Sequence, residues 1–385
     1  MQRNTLLFLL LTTATLSAQW TQRADLLGPA RTNAVGFSIG AKGYIATGFD
    51  GNTWLNDCWE YDPAMNSWTQ KTSMSDNGRE GAVAFTIGNK AYVGTGKRDT
   101  VFKNDLLEFD PVLNTWVSRA NFPGTARSEA SAFSIGTRGY VGLGYDGMNR
   151  NDFFEWNQGT NTWIPRASFP PNARNSALGF SLSNGRGYFG GGYASGNVYQ
   201  DIFEYNVSTN QWLFSGMTNY QAYAMAVSTI GAYAFYGTGI DDNSVYYNNF
   251  TEWDPSNGAL GLAAFSGTPR YNAVSFSVGN SIFLGTGYDS WVTQDLWEYT
   301  TTLSNGNGSF SDNIRLYHHS GILSVNFNSF TANASLYIYD VTGKQVFSSA
   351  IRYPLSELDL SSLSSGVYFA HVSTPSVSII RKFIK

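Results

Sequence analysis

A single cysteine, Cys58, stands in 385 residues, so no internal disulfide can brace this chain and its stability must come from packing. Charge is scarce as well: 14% of the residues are charged, the net charge is −4, and no block of Lys or Arg occurs. That excludes the usual footprints for a phosphate backbone and for an anionic membrane, so nucleic acid is not an expected partner. No apolar run reaches the roughly 18 to 20 residues that cross a bilayer, so no transmembrane segment is expected. Histidine is missing until the tail, where His318, His319 and His371 are the only three. A metal centre would lack its ligands over most of the chain, and no cofactor is expected. No Gly-rich phosphate loop and no nucleophile motif stands in a strand-turn-helix context, which leaves catalytic residues unassigned.

Glycine and aromatic residues, by contrast, are abundant: Gly 40, Tyr 23, Phe 26 and Trp 11. This is the composition of many short strands joined by tight turns, and it predicts an all-β fold. The chain starts Met1-Gln2-Arg3-Asn4, continues with the apolar stretch Thr5 to Leu16, and then has the small residues Ser17 and Ala18. That pattern predicts a secretory signal peptide over 1–19, with the mature protein starting near Gln19 or Trp20.

The remainder is periodic. Arg31, Arg79, Arg127, Arg174, Ala222 and Arg270 follow one another at intervals of 48, 48, 47, 48 and 48 residues. Gly48, Gly96, Gly144, Gly192, Gly239 and Gly287 keep step with them, each four residues after Tyr44, Tyr92, Tyr140, Tyr188, Phe235 or Phe283. An acidic-aromatic run recurs too, from Asp57 with Glu60-Tyr61 to Asp295 with Glu298-Tyr299, and so does a tryptophan at 68, 116, 163 and 212. Within the first unit the pattern predicts four strands, at 33–39, 43–48, 56–61 and 67–70. Six such units of about 50 residues predict a radial stack of four-stranded sheets. The last unit lacks its fourth strand, and Trp20 stands 11 residues before Arg31 just as Trp68 stands before Arg79. The N-terminal strand is therefore expected to complete the sixth sheet and close the ring. In the fifth unit Leu260 is expected at the tryptophan position.

These markers resemble the kelch repeat: the Arg before the first strand, the Gly-rich end of the second, Glu60-Tyr61-Asp62-Pro63, and Asn66-Ser67-Trp68. The resemblance covers about residues 20–303 and implies a six-bladed kelch-type β-propeller of the galactose oxidase/kelch-like superfamily. Copper-radical oxidases in that superfamily need His ligands and a cysteine cross-linked to tyrosine. Cys58 instead takes a position held in the other units by Leu106, Phe153, Ile202, Phe250 and Leu296, which marks it as core.

Residues 304–312 read as a linker. Beyond them the repeat ends, and runs at 323–327, 334–339, 345–347, 366–372 and 377–384 predict a small β-sandwich. Leu336-Tyr337-Ile338-Tyr339-Asp340, Gly343-Lys344, Gly366-Val367-Tyr368 and the basic ending Arg381 to Lys385 resemble the C-terminal sorting domain of the type IX secretion system. For residues 313–385 this implies recognition by that secretion machinery, passage through the outer membrane, and release or display at the cell surface.

Propellers bind ligands where the loops before the first strands meet those between the second and third. Here those loops offer Arg31, Arg79, Lys97, Arg98, Arg127, Arg174, Arg270, Tyr271 and Trp291 as binding candidates. Guanidinium forks and aromatic faces suit a sugar or a protein segment. The recurring arginines serve equally well as scaffold, each paired to an acid of its own unit, and only the non-repeating Lys97, Arg98, Tyr271 and Trp291 escape that reading. The recurring Asp-x-x-Glu pairs are too regular for an active site, which needs one asymmetric pair. The expectation is a monomeric binding module for a glycan or protein ligand, with a sialic acid mutarotase-like epimerase as the enzymatic alternative.

Overall fold

The computed structural model describes residues 20–170 and 172–301 and, in the tail, 314–319, 322–327, 334–351, 355–373 and 378–384. The expected signal peptide and linker lie outside the described residues. Two compact units divide the chain, Met1–Leu303 and Ser304–Lys385.

The first unit is all-β and propeller-like. Its first sheet contains Val35–Ile39, Lys42–Ala46, Cys58–Asp62 and Ser67–Lys71 in sequence order, all antiparallel. Four more sheets of the same order follow, beginning at Val83, Ser131, Leu178 and Ala226. A sixth contains Val274–Val278, Ser281–Gly285 and Leu296–Thr300, and its fourth strand is Trp20–Gln22. That strand pairs Trp20 with Tyr299 and Thr21 with Glu298, the register in which Trp68 pairs with Tyr61 in the first sheet. First strands of consecutive sheets touch, and the first strand of the sixth sheet touches that of the first.

The second strands are buried along nearly their whole length because each sheet packs on a neighbour at both faces. Phe37 stacks on Tyr44 at 5.2 Å, and Phe85 on Tyr92, Phe133 on Tyr140, Phe180 on Tyr188 and Phe276 on Phe283 repeat the pair. Glycine at the second residue of a second strand makes room for these rings: a Cβ on Gly43 would lie 2.0 Å from Phe276 of the sixth sheet. The outer tryptophans tie sheets together by their indole N–H groups. Trp68, Trp116, Trp163 and Trp212 donate to the carbonyls of Ala24, Thr72, Ala120 and Ala167, and Trp20 donates to Ala263 in the same way. Trp20 is 5% exposed and packs edge-on to Phe250 and Phe265, with ring centroids 4.7 and 5.0 Å away. In the fifth sheet the register places Ala259, not Leu260, opposite Trp253, so Ala259 holds the tryptophan position. Leu260 lies opposite Glu252 and faces outward, as Leu213 does opposite Glu204.

The second unit has two antiparallel sheets. One holds Ile314–His319, Ile322–Phe327 and Leu355–Asp359; the other runs Gln345–Ile351, Ala334–Asp340, Val367–Ser373, Ser378–Ile384. Leu323 of the first sheet and Leu336, Ile338, Ile351, Tyr368 and Ala370 of the second share one core. The strands at Ile314 and Leu355 were not expected from the sequence. Polar interruptions, His318-His319 and Glu357, mask their periodicity.

Candidate functional site

The five arginines expected at the mouth are not on its surface. Arg31, Arg79, Arg127 and Arg174 have no exposed side-chain area, and Arg270 has 1%. Each guanidinium forks onto a carboxylate at the start of the third strand of its own sheet. Arg31 Nη1 and Nη2 donate to Asp57 at 2.6 and 2.8 Å, and Asp105, Asp152, Asp201 and Asp295 take the same place for the other four. Nη1 also donates to the carbonyl that ends the second strand, Thr47 O at 2.9 Å in the first sheet. A charged pair this well bonded satisfies itself, and all five guanidinium groups face protein rather than a ligand.

Two residues beyond each arginine the chain reaches the hub. Asn33, Gly81, Glu129, Ser176, Ala224 and Asn272 all adopt left-handed backbone, with φ between 52° and 60°. That conformation turns each N–H toward the preceding sheet. Six backbone hydrogen bonds result: Gly81 to Asn33, Glu129 to Gly81, Ser176 to Glu129, Ala224 to Ser176, Asn272 to Ala224, and Asn33 back to Asn272, at 2.8 to 3.2 Å. They surround a cavity of about 130 Å³, lined by two consecutive residues from each sheet.

Outside this collar, the residue following each arginine bridges to the residue following the second-strand glycine. The pairs are Thr32 with Phe49, Glu80 with Lys97, Ser128 with Tyr145, Asn175 with Tyr193, Tyr223 with Ile240 and Tyr271 with Tyr288. The backbone here is sixfold, but the side chains are not. Sheets four to six contribute half-buried tyrosines in contact: Tyr193 and Tyr223 at 4.8 Å, Tyr246 and Tyr271 at 5.3 Å, Tyr271 and Tyr288 at 5.6 Å. Burial and the neighbouring tyrosines raise the pKa of Tyr223 and Tyr271, and Glu129 adds to both shifts.

Glu129 is the one acid in the collar. Ser176 Oγ donates to its Oε2 at 3.1 Å, and Oε1 has no partner among the described residues. Burial pushes its carboxyl pKa up, Glu80 adds to that, and the Ser176 bond and Lys97 pull against it.

The non-repeating candidates are dispersed. Tyr271 lies in the tyrosine group and Lys97 on the rim opposite Glu80. Arg98 is exposed, donates to Asn77 O at 2.7 Å and sits 5.9 Å from the Trp54 ring. Trp291 is 80% exposed at the tip of the turn closed by Asp289 N–H on its carbonyl. The sequence places Glu129, Tyr193, Tyr223 and Tyr288 in the mouth loops but not among the binding candidates, and it does not point to Tyr246. The signal for Glu129 was present: two residues after the recurring arginine, one unit alone has a carboxylate. Among the described residues no three His, Cys, Asp or Glu side chains gather as a metal site, and no helix is long and apolar enough to cross a membrane.

Comparison with known proteins agrees with the two units. Residues 44–75 match the kelch motif, and residues 319–385 match the secretion system C-terminal sorting domain. The sorting domain places the chain in type IX secretion, released from the cell or held at its outer surface. No curated protein matches the chain. A solved structure titled "Structure of YjhT" superposes with a TM-score of 0.62 at 14% identity, over 73% of this chain and 97% of that one. At 14% identity, the likeness speaks for the fold and not for a ligand.

Proposed function

Given a kelch-type repeat protein that carries a type IX sorting domain, we propose that it is a secreted or surface-displayed binding module, taking a glycan or protein segment at the mouth of a six-bladed propeller closed by its N-terminal strand. In this reading residues 1–19 are a signal peptide, 20–303 the propeller, 304–312 a linker and 313–385 the sorting domain. The six sheets, the cyclic collar of hydrogen bonds and the seat of Trp20 support the closed ring. The arginines are its framework, and the protein acts as a monomer without a cofactor.

One observation carries the binding role: on a sixfold scaffold, five of the twelve bridged mouth positions are tyrosine, at 145, 193, 223, 271 and 288. Packing does not require them, because Thr32, Glu80, Ser128 and Asn175 fill the places that match Tyr223 and Tyr271, and Phe49, Lys97 and Ile240 those that match the other three. Half-buried rings around a concavity are a stacking surface for sugars and for peptide side chains. The test is a glycan array plus a pull-down against surface polymers and proteins, with Tyr271→Ala and Trp291→Ala beside the wild type. Loss of a captured ligand in Tyr271→Ala supports the proposal. A blank wild type, or capture untouched by either substitution, refutes it.

An epimerase of the sialic acid mutarotase type is the second reading, and Glu129 favours it. A carboxyl whose pKa is raised by burial can serve as the modest acid and base that mutarotation needs. Exchange NMR with sialic acid and several aldoses decides: no acceleration over buffer removes the enzyme and leaves the binding module.

A further inference from the structure

We infer that the group seated in the mouth is an alkylammonium cation, held by Glu129 and enclosed by Tyr223 and Tyr271. This rests on the binding-module reading and narrows it. With the arginines turned inward, the charge left at the mouth is reversed from what their sequence positions suggest. Glu80 and Glu129 face one cation, Lys97, and Asp241 and Asp242 flank Tyr223. An anionic sugar beside Glu129 would meet carboxylates and the single cation Lys97, since the Arg98 guanidinium is held on Asn77 O near the Trp54 ring.

Glu129 is also not explained by the collar. The collar demands left-handed backbone, which glutamate adopts less readily than its ordinary conformations. Asn, Gly, Ser, Ala and Asn meet that demand in the other five sheets without an acid. Glu129 lines the cavity, and among the described residues its Oε1 has no partner and its Oε2 has only a neutral hydroxyl. Tyrosine faces carry negative quadrupoles, so the same rings that stack on sugars also attract a cation placed over them. An ammonium on a flexible stem can reach Oε1 and leave the stem against Met225 in the cavity, with Tyr223 and Tyr271 one residue before the collar at Ala224 and Asn272, as a lysine side chain of a protein segment or a free amine would.

Titration calorimetry on the full chain tests this with four probes: a tri-lysine peptide, the same peptide fully acetylated on its side chains, n-butylammonium, and sialic acid. Tri-lysine should bind, and acetylation should weaken it at least about tenfold, because the charge is lost while the stem stays. Glu129→Gln keeps the acceptor for Ser176 and should weaken tri-lysine about tenfold; Tyr271→Ala should do so about fivefold. Binding of tri-lysine should also fall as pH drops through the raised pKa of Glu129, and this fall should vanish in the Gln variant. Butylammonium binding as well as tri-lysine places recognition in the amine alone; tri-lysine alone binding places it in a protein segment. Equal binding of acetylated and free peptide, or no effect of Glu129→Gln, overturns the cation. If a neutral glycan or sialic acid binds instead and Tyr271→Ala abolishes it, the cation is wrong and the binding module stands. No ligand on the glycan array, in the pull-down or here overturns both.

Discussion

The fifth sheet and the other five solve the same packing problem with different chemistry. In five sheets a buried arginine forks onto an aspartate; in the fifth, Ala222 replaces the arginine and Asn249 the aspartate. Both halves of the pair are missing together, so no charge is left buried alone. The carbonyl that each arginine would bond still needs a donor, and Tyr220 supplies it: its hydroxyl donates to Thr238 O at 3.0 Å, where Arg31 donates to Thr47 O at 2.9 Å. The lesson is that the obligatory part of the motif is a donor for that carbonyl. The ion pair is one way of delivering it.

The acid of the third strand went the other way. Glu108 receives Arg119 at 2.8 Å, Lys90 at 2.6 Å and the Tyr92 hydroxyl at 3.0 Å; against burial, which pushes it up, these hold its pKa at about 2. Glu60, Glu155, Glu204 and Glu298 have cations as well. Glu252 has neither cation nor hydroxyl among the described residues, because Phe235 stands where a tyrosine stands in sheets one to four. Burial, with Asp254 nearby, pushes its pKa up to about 7. Two further partners are changed. Ala259 replaces the outer tryptophan, and Asn257, at the place of the asparagine that accepts from Tyr61, Trp156 and Tyr205, donates its amide to Asp254 instead; the Trp253 indole N–H is buried without an acceptor.

The contrast can be broken most sharply at the ion pair. Asp152→Ala strands the Arg127 guanidinium, and urea unfolding should show a loss of about 3 to 5 kcal/mol; Asn249→Ala, at the same repeat position but exposed, should cost less than about 1 kcal/mol. Equal losses would mean that the two sheets are held alike. Glu252→Gln comes next. The raised folded pKa means that the unfolded chain ionises this group first, near pH 4.5, so its presence lowers stability as pH rises from there to about 7 and by a constant amount above. The Gln variant should gain on the order of 1 to 3 kcal/mol at pH 8, reduced by the partial exposure of the site, and little at pH 4; a gain independent of pH would refute the orphan acid. The smallest effect should come from Tyr220→Phe, which leaves the ring and removes the donor for Thr238 O. It should cost about 1 to 2 kcal/mol, against no measurable change for Tyr246→Phe, whose hydroxyl makes no hydrogen bond among the described residues.

Much of the fold was legible because repetition multiplies weak signals. One Arg, one Gly and one Asp-x-x-Glu decide little, but six glycines, five arginines and five Asp-x-x-Glu pairs in step along six units point to the strand order within each sheet. Even the distant partner of the sixth sheet could be read from the spacing of Trp20. The fifth sheet is where spacing failed: with the tryptophan gone, Leu260 looked like its substitute, and only the pairing of Ala259 with Trp253 set the register. The binding candidates were less legible for a related reason. A period locates an arginine, but it cannot tell whether the side chain turns to the mouth or to its own sheet's aspartate.

What the sequence determined alone is therefore the periodic part: strand alternation, the glycines that admit a neighbour's ring, the aromatic core and the secretion tail. These depend on residues near in the chain or repeated along it. The tertiary structure decided which charges survive at the surface. Burial within each sheet consumes the five arginines, and a left-handed turn two residues later leaves Glu129 on the cavity, near enough to Tyr223 and Tyr271 of two other sheets to raise their pKa. That outcome depends on contacts between segments more than 40 residues apart, and no local pattern encodes it.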